Sequence, residues 1–332
     1  MSSATVEICD LSAVSSAQIR SLLQDSAFKP NRYLQNRLQG DLLEAWLMSV
    51  TALSQSASSH GMVAMRDQMP CGLLVYSENP WETQVIGTKA GAVNQFIVAP
   101  NAAPQVAACL LNTALEQASS AGFGLLLARA HTDDYTTIHA LESAGFLLMD
   151  TVVDCFFDFQ RSPMGNAPAV GPDVTLRHAT LDDRSELIAV ARGAFQAHFG
   201  RFHADKRLGK QVAINVYEQW LNSSIDGYAD WINIAEISGD IAGFSVWKKP
   251  DPRETERNIR IGHYSISGID PAYHGRGLFT ALSYAGMLEM KSFADVVEGP
   301  THINNYGVHA GYSKLGWRVG ADARHSFHKW LK

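Results

Sequence analysis

The sequence predicts an α/β protein that consists of two similar domains. Segments rich in β-branched residues alternate with segments whose apolar residues have helical spacing, as expected for strands and helices packed in layers. The same order of segments occurs before and after a stretch rich in proline and glycine at residues 162–172, which is predicted to be a linker. Matching residues of the two halves keep a constant separation, which indicates an internal repeat.

The first half, residues 1–161, is predicted to form one domain. Two of its strands are joined by Asp67-Gln68-Met69-Pro70, a hairpin signal, and its last helix ends at Gly145. The predicted strands are Thr5–Leu11, Gly61–Arg66, Cys71–Ser77, Asn94–Ala99, Gly124–Ala130 and Val152–Phe159, and the predicted helices are Ala17–Gln24, Asp41–Leu53, Val106–Ala118 and Tyr135–Ala144.

The second half, residues 173–332, repeats this order and is predicted to form the second domain. Its predicted strands are Val174–Arg177, Ile232–Glu236, Ala242–Lys248, Arg260–Ile269 and Val296–Thr301, and its helices are Asp182–Ala197, His203–Asn222, one that begins near Leu278, and Asn305–Leu315. Residues that match between the halves are 171 positions apart: Gly72 and Gly243, Pro100 and Pro271, Gly145 and Gly316, Tyr135 and Tyr306, and Ala64 and Ala235. One offset across separate motifs predicts two copies of one domain.

The composition is that of an ordinary globular protein, with 46% apolar residues, 18% charged residues and a net charge of −6. A mildly acidic chain argues against a nucleic-acid partner, and no apolar run approaches the roughly 20 residues of a membrane span. The first residues lack a signal-peptide pattern, so we expect a cytoplasmic protein. The cysteines lack zinc-ligand spacing and are expected to be free thiols at Cys9, Cys71, Cys109 and Cys155.

A strand, a short glycine loop and a helix are predicted around residues 266–282. The strand ends at Ile269, a turn follows at Asp270-Pro271, and the loop His274-Gly275-Arg276-Gly277 precedes the helix. Because the two glycines lack a Cβ, the backbone allows a ligand to approach the free N–H groups at the helix start. Those groups and the helix dipole favour a phosphate or pyrophosphate, and Arg276 adds a positive charge.

The sequence of the loop allows three other interpretations. A P-loop requires Gly-Lys-Ser/Thr, and no lysine follows Gly277. A dinucleotide fingerprint requires a third glycine where the chain has Thr280, and it belongs in a first βα unit. A plain tight turn without a ligand remains an alternative, because paired glycines alone are unspecific.

The loop resembles the acetyl-CoA pyrophosphate loop of the GNAT acetyltransferase superfamily, whose usual pattern is Gln/Arg-x-x-Gly-x-Gly/Ala. His274 stands at the Gln/Arg position, Gly277 at the first glycine and Phe279 at the final small residue, so two of the three positions depart from the pattern. The resemblance implies a mixed, mostly antiparallel sheet in each copy. It also implies that acetyl-CoA is bound by Ile269, His274, Gly275, Arg276, Gly277, Leu278, Phe279 and Asn305, without a metal.

The resemblance further implies a general acid and a general base. Tyr312 matches the tyrosine that protonates the departing thiolate, since it follows Asn305 and lies four residues before Gly316. His263 lies on the preceding strand, where some members carry a basic glutamate, and it is a candidate base for deprotonating an amine. A core histidine is the alternative, and Glu236 is a second candidate base with less support.

The copies are not equal in this interpretation. In the first copy, the positions equivalent to the loop residues 274–277 carry Ala103, Pro104, Gln105 and Val106. The position equivalent to Tyr312 carries Leu141. Proline removes an N–H donor, and valine places a branched side chain where a phosphate would approach. The first copy is therefore expected to be degenerate.

The acceptor is predicted to be an amine on a small molecule. The segments 201–205, 217–223 and 79–87 resemble parts of dTDP-fucosamine acetyltransferases, which N-acetylate a nucleotide-linked amino sugar. This implies that Arg201, Asp205 and Trp220 line the acceptor site, although a core tryptophan and a surface ion pair are the alternatives. A homodimer is possible.

Two other functions stay open from the sequence. Mycothiol-synthase-like proteins also pair a weak and an active copy, and an amino-sugar pseudo-disaccharide would then be the acceptor. A non-catalytic acyl-CoA sensor or structural module is favoured if Phe279 crowds the phosphates. The histidines near the chain end lack metal-ligand spacing, so no metal is expected at His302, His309, His325 and His328.

Overall fold

A computed structural model describes residues 6–103 and 105–331. The described chain divides into two compact units. Unit 1 contains residues 6–35, Asp41–Asp150 and 324–331, and unit 2 contains Asn36–Gly40 and Thr151–Ala323. Pro104, which was expected to remove a donor in the first copy, lies outside the described residues.

The first part of the chain alternates helices and strands as predicted, with one additional helix. Its elements are β1 (Glu7–Asp10), α1 (Ser16–Asp25), α2 (Leu42–Ser54), β2 (Ser59–Arg66), β3 (Met69–Glu78), α3 (Pro80–Ile86), β4 (Ala90–Val98), α4 (Gln105–Ser120), β5 (Leu125–His131), α5 (Tyr135–Ser143) and β6 (Leu147–Asp158). Helix α3 was not predicted, although Asn79 caps it, Pro80 begins it and Gly87 ends it in a left-handed conformation.

The second part of the chain has the same order. Its elements are β7 (Val174–His178), α6 (Arg184–Phe195), α7 (Arg201–Ala204), α8 (Gly209–Ser223), β8 (Trp231–Ile237), β9 (Asp240–Lys248), α9 (Pro252–Thr255), β10 (Ile261–Ile269), α10 (Leu278–Met290), β11 (Val296–Glu298), β12 (Thr301–His302), α11 (Tyr306–Lys314) and β13 (Arg318–Trp330). Strand β13 was not predicted, the predicted helix 203–222 is divided into α7 and α8, and the predicted strand 296–301 ends at Glu298.

Each unit contains a mixed, mostly antiparallel sheet, so the predicted fold class is confirmed. The strand order is β1-β2-β3-β4-β5-β13 in unit 1 and β6-β11-β10-β9-β8-β7 in unit 2, where β12 also pairs with β6. The parallel pairs are β4 with β5 and β10 with β11.

The units differ from the predicted halves 1–161 and 173–332 at their ends. Residues 151–161 belong to unit 2, because Phe156–Asp158 pair with β11. Residues 324–331 belong to unit 1, because Arg324–Trp330 pair with β5. The backbone hydrogen bonds of these antiparallel ladders decide which unit holds each strand, and they join residues far apart in sequence. The predicted linker at 162–172 also lies in unit 2.

The same internal geometry is present in both units. In unit 1 the parallel pairing covers Ala90–Ala92 of β4 and Leu125–Leu127 of β5. In unit 2 it covers Ile261–His263 and Val296–Glu298, each 171 positions later. The strand irregularities also match, because the residue skipped in the ladder is Asn94 in β4 and Ser265 in β10. The repeat seen in the sequence is therefore a structural repeat.

The core of unit 2 near its parallel strands is rich in aromatic side chains. Trp247 stacks on Tyr264 with ring centroids 4.3 Å apart, and Tyr312 stacks on Trp317 at 4.2 Å. Gly286 of α10 lies against the Trp247 indole so closely that a Cβ there would overlap the ring. This packing fixes α10 and α11 against one face of the sheet. None of the helices within 6–103 and 105–331 combines the length and apolar character needed to cross a bilayer.

Candidate functional site

The central strands of unit 2 separate directly before the glycine loop. Pairing between β10 and β11 stops at His263 and Glu298, while β10 continues for six more residues to Ile269. A β-bulge at Ser265 coincides with the separation. In the described part of the chain, residues 264–269 pair with β9 alone, so no strand lies along their other side. The backbone edge of residues 264–269 therefore has no strand partner on the β11 side among the residues that the structure describes, and the space where β10 and β11 separate is called the gap.

The glycine loop has the backbone geometry that its sequence predicts. Gly275 and Gly277 have φ values of 80° and 75°, in the left-handed region that favours glycine. A Cβ built on Gly275 would meet no atom within 4 Å, so the space beside the backbone is open. Helix α10 begins at Leu278, as expected, and its first N–H groups adjoin this space. The loop and helix start therefore fit an anionic group such as pyrophosphate.

Two loop side chains have partners within unit 2. His274 contacts the Ile269 carbonyl oxygen through Nε2 at 3.1 Å, which ties the loop to the end of β10. Arg276 donates to the Asp173 carboxylate at 2.6 Å, and the Arg276 guanidinium holds the pKa of Asp173 below its usual value. Both side chains of the ion pair are exposed to solvent by about two fifths, at 37% and 42%. The Arg276 guanidinium therefore forms an ion pair with Asp173 in this structure.

Phe279 is partly buried and packs against the aromatic core of unit 2. Its ring lies 5.7 Å from the Tyr312 ring and 6.3 Å from the Tyr264 ring, between α10 and α11. Gly311 of α11 makes room for it, because a Cβ there would overlap the Phe279 ring. This packing argues against an interpretation in which Phe279 crowds a phosphate bound at the loop.

Tyr312 lies at the end of β11 where the strands separate. Only 3% of its surface is exposed, and its hydroxyl adjoins the backbone of Gly299, where a Cβ would overlap it. Burial, with smaller contributions from Tyr264 and Cys155, raises the pKa of Tyr312 well above the usual value of 10.0. The phenol is therefore protonated at physiological pH and keeps a proton that it can donate.

His263 lies at the start of the gap beside two charged residues. It pairs with Lys248 of β9 on one side and with Glu298 of β11 on the other. Its Nδ1 is 3.8 Å from a carboxylate oxygen of Glu298. Partial desolvation of the imidazole, and secondly the Lys248 ammonium, lower the pKa of His263, which favours the neutral form that accepts a proton. The sequence did not single out Glu298, because only the β10–β11 register brings it to His263.

Asn305 and Trp220 each donate a side-chain hydrogen bond within unit 2. Asn305 precedes α11 and donates from Nδ2 to the Thr301 hydroxyl at 3.0 Å. Trp220 of α8 donates from Nε1 to the hydroxyl of Ser265 at 3.2 Å, so its indole lies at the bulge of β10. Trp220 is thus half-buried beside the gap.

The remaining acceptor candidates have local partners. The Arg201 guanidinium lies over the Phe202 ring at 4.4 Å. Asp205 is only 5% exposed and accepts a hydrogen bond from the Arg207 N–H at 3.0 Å. The alternative that Asp205 forms an ion pair with Arg201 on the surface is therefore wrong about the exposure of Asp205. Glu236, the second candidate base, forms an ion pair with Arg177 between β7 and β8. That ion pair holds the Glu236 carboxylate against Arg177, on the pair of strands β7 and β8 and not on β10 or β11.

The histidines and cysteines do not assemble into a metal site. Across residues 6–103 and 105–331, no group of three or more His, Cys, Asp or Glu side chains is placed to hold a metal ion. His302 and His309 belong to unit 2, whereas His325 and His328 belong to unit 1. The cysteines are free thiols, and of these Cys71 and Cys155 are buried.

The equivalent region of unit 1 lacks the same chemical groups. Val106, opposite Gly277 in the repeat, is fully buried against the core of unit 1. Leu141 is also fully buried at the position equivalent to Tyr312. Unit 1 keeps the strand separation but has an apolar side chain in place of the phenol.

These features define the fold of the GCN5-related N-acetyltransferases (GNAT), present twice in one chain. A tandem GNAT protein from the clavulanic acid biosynthesis pathway is similar over 98% of both chains, with a TM-score of 0.57 and 14% identity. A GCN5-related N-acetyltransferase from Sphaerobacter thermophilus has a TM-score of 0.63 at 13% identity, over 98% of this chain and 95% of that chain. At these identities the similarity establishes the fold.

The sequence comparison gives one relative with a named activity. A mycothiol acetyltransferase from Sanguibacter keddieii is 29% identical over 164 residues, which cover 48% of this chain and 49% of that protein. The matched stretch thus spans about half the length of that relative. No protein-family model matches the chain.

Proposed function

We propose that the chain is an acetyl-CoA-dependent N-acyltransferase whose reaction centre lies in unit 2 and whose acceptor is a primary amine of a small molecule. The observation that carries the proposal is the gap between β10 and β11, which lies between the glycine loop and Tyr312. The open edge of β10 at residues 264–269 offers backbone groups to an extended pantetheine arm, much as an added strand would pair. The glycine loop and the first N–H groups of α10 suit the pyrophosphate.

The proposed reaction is a direct attack of the amine on the thioester. The amine nitrogen forms a bond to the carbonyl carbon while one of its protons passes to His263 or to a water that His263 holds. A backbone N–H near Ile269 stabilises the oxyanion of the tetrahedral intermediate. As the carbon–sulfur bond breaks, Tyr312 donates its proton to the thiolate. Asn305 is proposed to hydrogen-bond the pantetheine arm.

The acceptor is proposed to be an amino sugar, free or linked to a nucleotide. Residues 201–210, which form α7 and lead into the Trp220 helix α8, contain Arg201, Lys206, Arg207 and Lys210 but a single acidic residue, Asp205, although the whole chain has a net charge of −6. This local excess of positive charge favours an acceptor that carries phosphate. The indole of Trp220, placed at the bulge of β10, provides a face on which a sugar or base can stack.

A mycothiol-synthase-like reaction is a second candidate, and the Sanguibacter relative is the observation that favours it. The acceptor would then be an amino sugar in a pseudo-disaccharide without a nucleotide. A non-catalytic acyl-CoA sensor is less well supported, because Phe279 packs between α10 and α11 and the space beside Gly275 is open.

The test is an acetyl-transfer assay with the full chain. Acetyl-CoA is mixed separately with a dTDP-linked amino sugar, a pseudo-disaccharide amino sugar and a polyamine. The release of free CoA thiol is followed with a disulfide reagent, and the acetylated amine is identified by its mass. Gly277→Glu is expected to abolish both turnover and acetyl-CoA binding, because it brings a negative charge to the phosphate position. Binding of acetyl-CoA without thiol release for any amine would contradict an enzyme and support the sensor.

A further inference from the structure

A histidine and a glutamate lie side by side where the central strands of unit 2 separate. His263 and Glu298 form the last registered pair of the parallel ladder between β10 and β11. Registered residues on adjacent strands project to the same face of a sheet, so the two side chains are neighbours. Tyr264, the next residue on β10, belongs to the aromatic core on the opposite face. The pair therefore lies on the face away from α10 and α11.

The Glu298 side chain is the more enclosed member of the pair. It is 13% exposed, whereas the His263 side chain is 41% exposed, so the imidazole extends outward from a carboxylate beneath it. The separation of 3.8 Å between Nδ1 and the carboxylate oxygen is longer than a hydrogen bond, but catalytic contacts are often long before substrate binds. A small rotation of either side chain would close it.

Lys248 is the other charged group registered with His263. Its ammonium donates to the Tyr228 carbonyl oxygen at 2.9 Å and lies 4.3 Å from the Tyr228 ring centroid. His263 is thus flanked by a cation from β9 and an anion from β11, with opposite effects on imidazolium. Trp220 of α8 contacts β10 two residues further on, at Ser265, and contributes no charge.

We infer that Glu298 is a positioning residue that orients His263 as the general base. The Glu298 carboxylate accepts a hydrogen bond from Nδ1–H of His263, which leaves the lone pair on Nε2. Nε2 then takes one proton from the attacking amine, and the imidazolium that forms is stabilised by the carboxylate. This inference rests on the proposed acyl transfer, and it adds a residue that acts through His263 without touching the substrate.

The test measures the titration of His263 directly, so that it does not depend on finding the acceptor. The full chain is labelled with ¹³C,¹⁵N-histidine, the His263 resonances are assigned by their loss in His263→Gln, and pH titrations are recorded for the wild type and for Glu298→Gln. Removing the carboxylate is expected to lower the apparent pKa of His263 by about half a unit to one unit, because an opposite charge is lost. Glu298→Asp, which keeps the charge, should lie between the two.

Glu289→Gln is the matched control. Glu289 of α10 is a partly exposed glutamate, at 35%, whose Oε2 lies 2.9 Å from Nε2 of a different histidine, His178. The control variant removes the same charge and should leave the titration of His263 unchanged. Unshifted resonances from the other histidines would show that the fold of Glu298→Gln is intact.

With an acceptor in hand, the acid limb of kcat/KM should move to lower pH in Glu298→Gln by the same amount. The plateau of kcat should fall about tenfold or more, while the KM for acetyl-CoA stays constant. Equal His263 titrations in the wild type and Glu298→Gln would overturn the inference even if acetyl transfer is found. A shifted titration without acetyl transfer to any amine would uphold the pair and reject the proposed function.

Discussion

Tyr312 illustrates how burial at a single residue decides a chemical role. Its ring stacks on Trp317, and its hydroxyl faces the backbone of Gly299. A deprotonated phenol would be poorly solvated there, and this is why its pKa is raised well above 10.0. Because a raised pKa keeps the proton on the oxygen, the fraction of protonated Tyr312 does not decline until the pH exceeds 10. An acid that is always protonated suits a step in which a thiolate leaves.

Tyr312→Phe removes this proton and little else. We expect kcat to fall about 10²-fold, within the usual range for loss of a general acid, because the thiolate must then take its proton from water. Acetyl-CoA binding should be unchanged, since the phenylalanine ring keeps the stacking on Trp317. Steady-state kinetics and calorimetry measure the two quantities.

The control for Tyr312→Phe is Tyr306→Phe on the same helix. Tyr306 is 75% exposed, so its hydroxyl is solvated and its loss should not change kcat. Full activity in Tyr312→Phe would show that another group protonates the thiolate. In the wild type, a fall in kcat with rising pH that is complete below pH 10 would exclude Tyr312 as its source.

At the scale of elements, the segment between the halves lies against the glycine loop. The Gly165 carbonyl accepts a hydrogen bond from the Tyr284 hydroxyl of α10 at 3.1 Å. The Ala169 carbonyl oxygen lies 3.7 Å from the position of a Cβ on Gly277, and Asp173 holds Arg276. A pyrophosphate on the loop would attract Arg276 and would be repelled by the Asp173 carboxylate.

Asp173→Asn tests this competition. We expect the variant to bind acetyl-CoA about two- to fivefold more tightly, because Arg276 is released and a nearby negative charge is lost. The effect should not be larger, because an ion pair exposed to solvent contributes little free energy. Asp182→Asn is the control for net charge, since Asp182 is exposed and lies outside this contact. Calorimetric titration at fixed salt gives the dissociation constants. Weaker binding by Asp173→Asn would show that the contact between Asp173 and Arg276 assists coenzyme binding, and equal binding would show that the contact does not compete with it.

The sequence predicted the elements whose signals are local. Gly275 and Gly277 require positive φ, and the structure has it, with α10 beginning at Leu278 as expected. Strand β13 was missed because it is largely polar and because its part Arg324–Trp330 pairs with β5, about 200 residues earlier. The contact between His263 and Glu298 was also missed, since it depends on strand register and not on spacing along the chain.

At the scale of the whole molecule, one fold occurs twice with different side chains. Both units have three registered residue pairs between their central parallel strands and an irregularity two residues later, at positions 171 apart. Unit 1 has buried Val106 and Leu141 where unit 2 has Gly277 and Tyr312. Backbone geometry has therefore been retained where the chemical groups have not. This combination predicts that one unit binds the coenzyme.

Matched charge reversals at equivalent positions distinguish the units. Arg276→Glu places a carboxylate in the glycine loop of unit 2, and Gln105→Glu places one at the equivalent position at the start of α4 in unit 1, where the side chain is exposed. Calorimetric titration of acetyl-CoA into the wild type is expected to give one site per chain. Arg276→Glu should weaken that site at least tenfold, because a phosphate then meets a negative charge instead of a positive one. Gln105→Glu should leave both the stoichiometry and the affinity unchanged. Two sites in the wild type, with one lost in each variant, would mean that the apolar side chains of unit 1 do not prevent coenzyme binding. Unit 1 would then differ from unit 2 mainly in lacking the phenol, which Leu141 replaces.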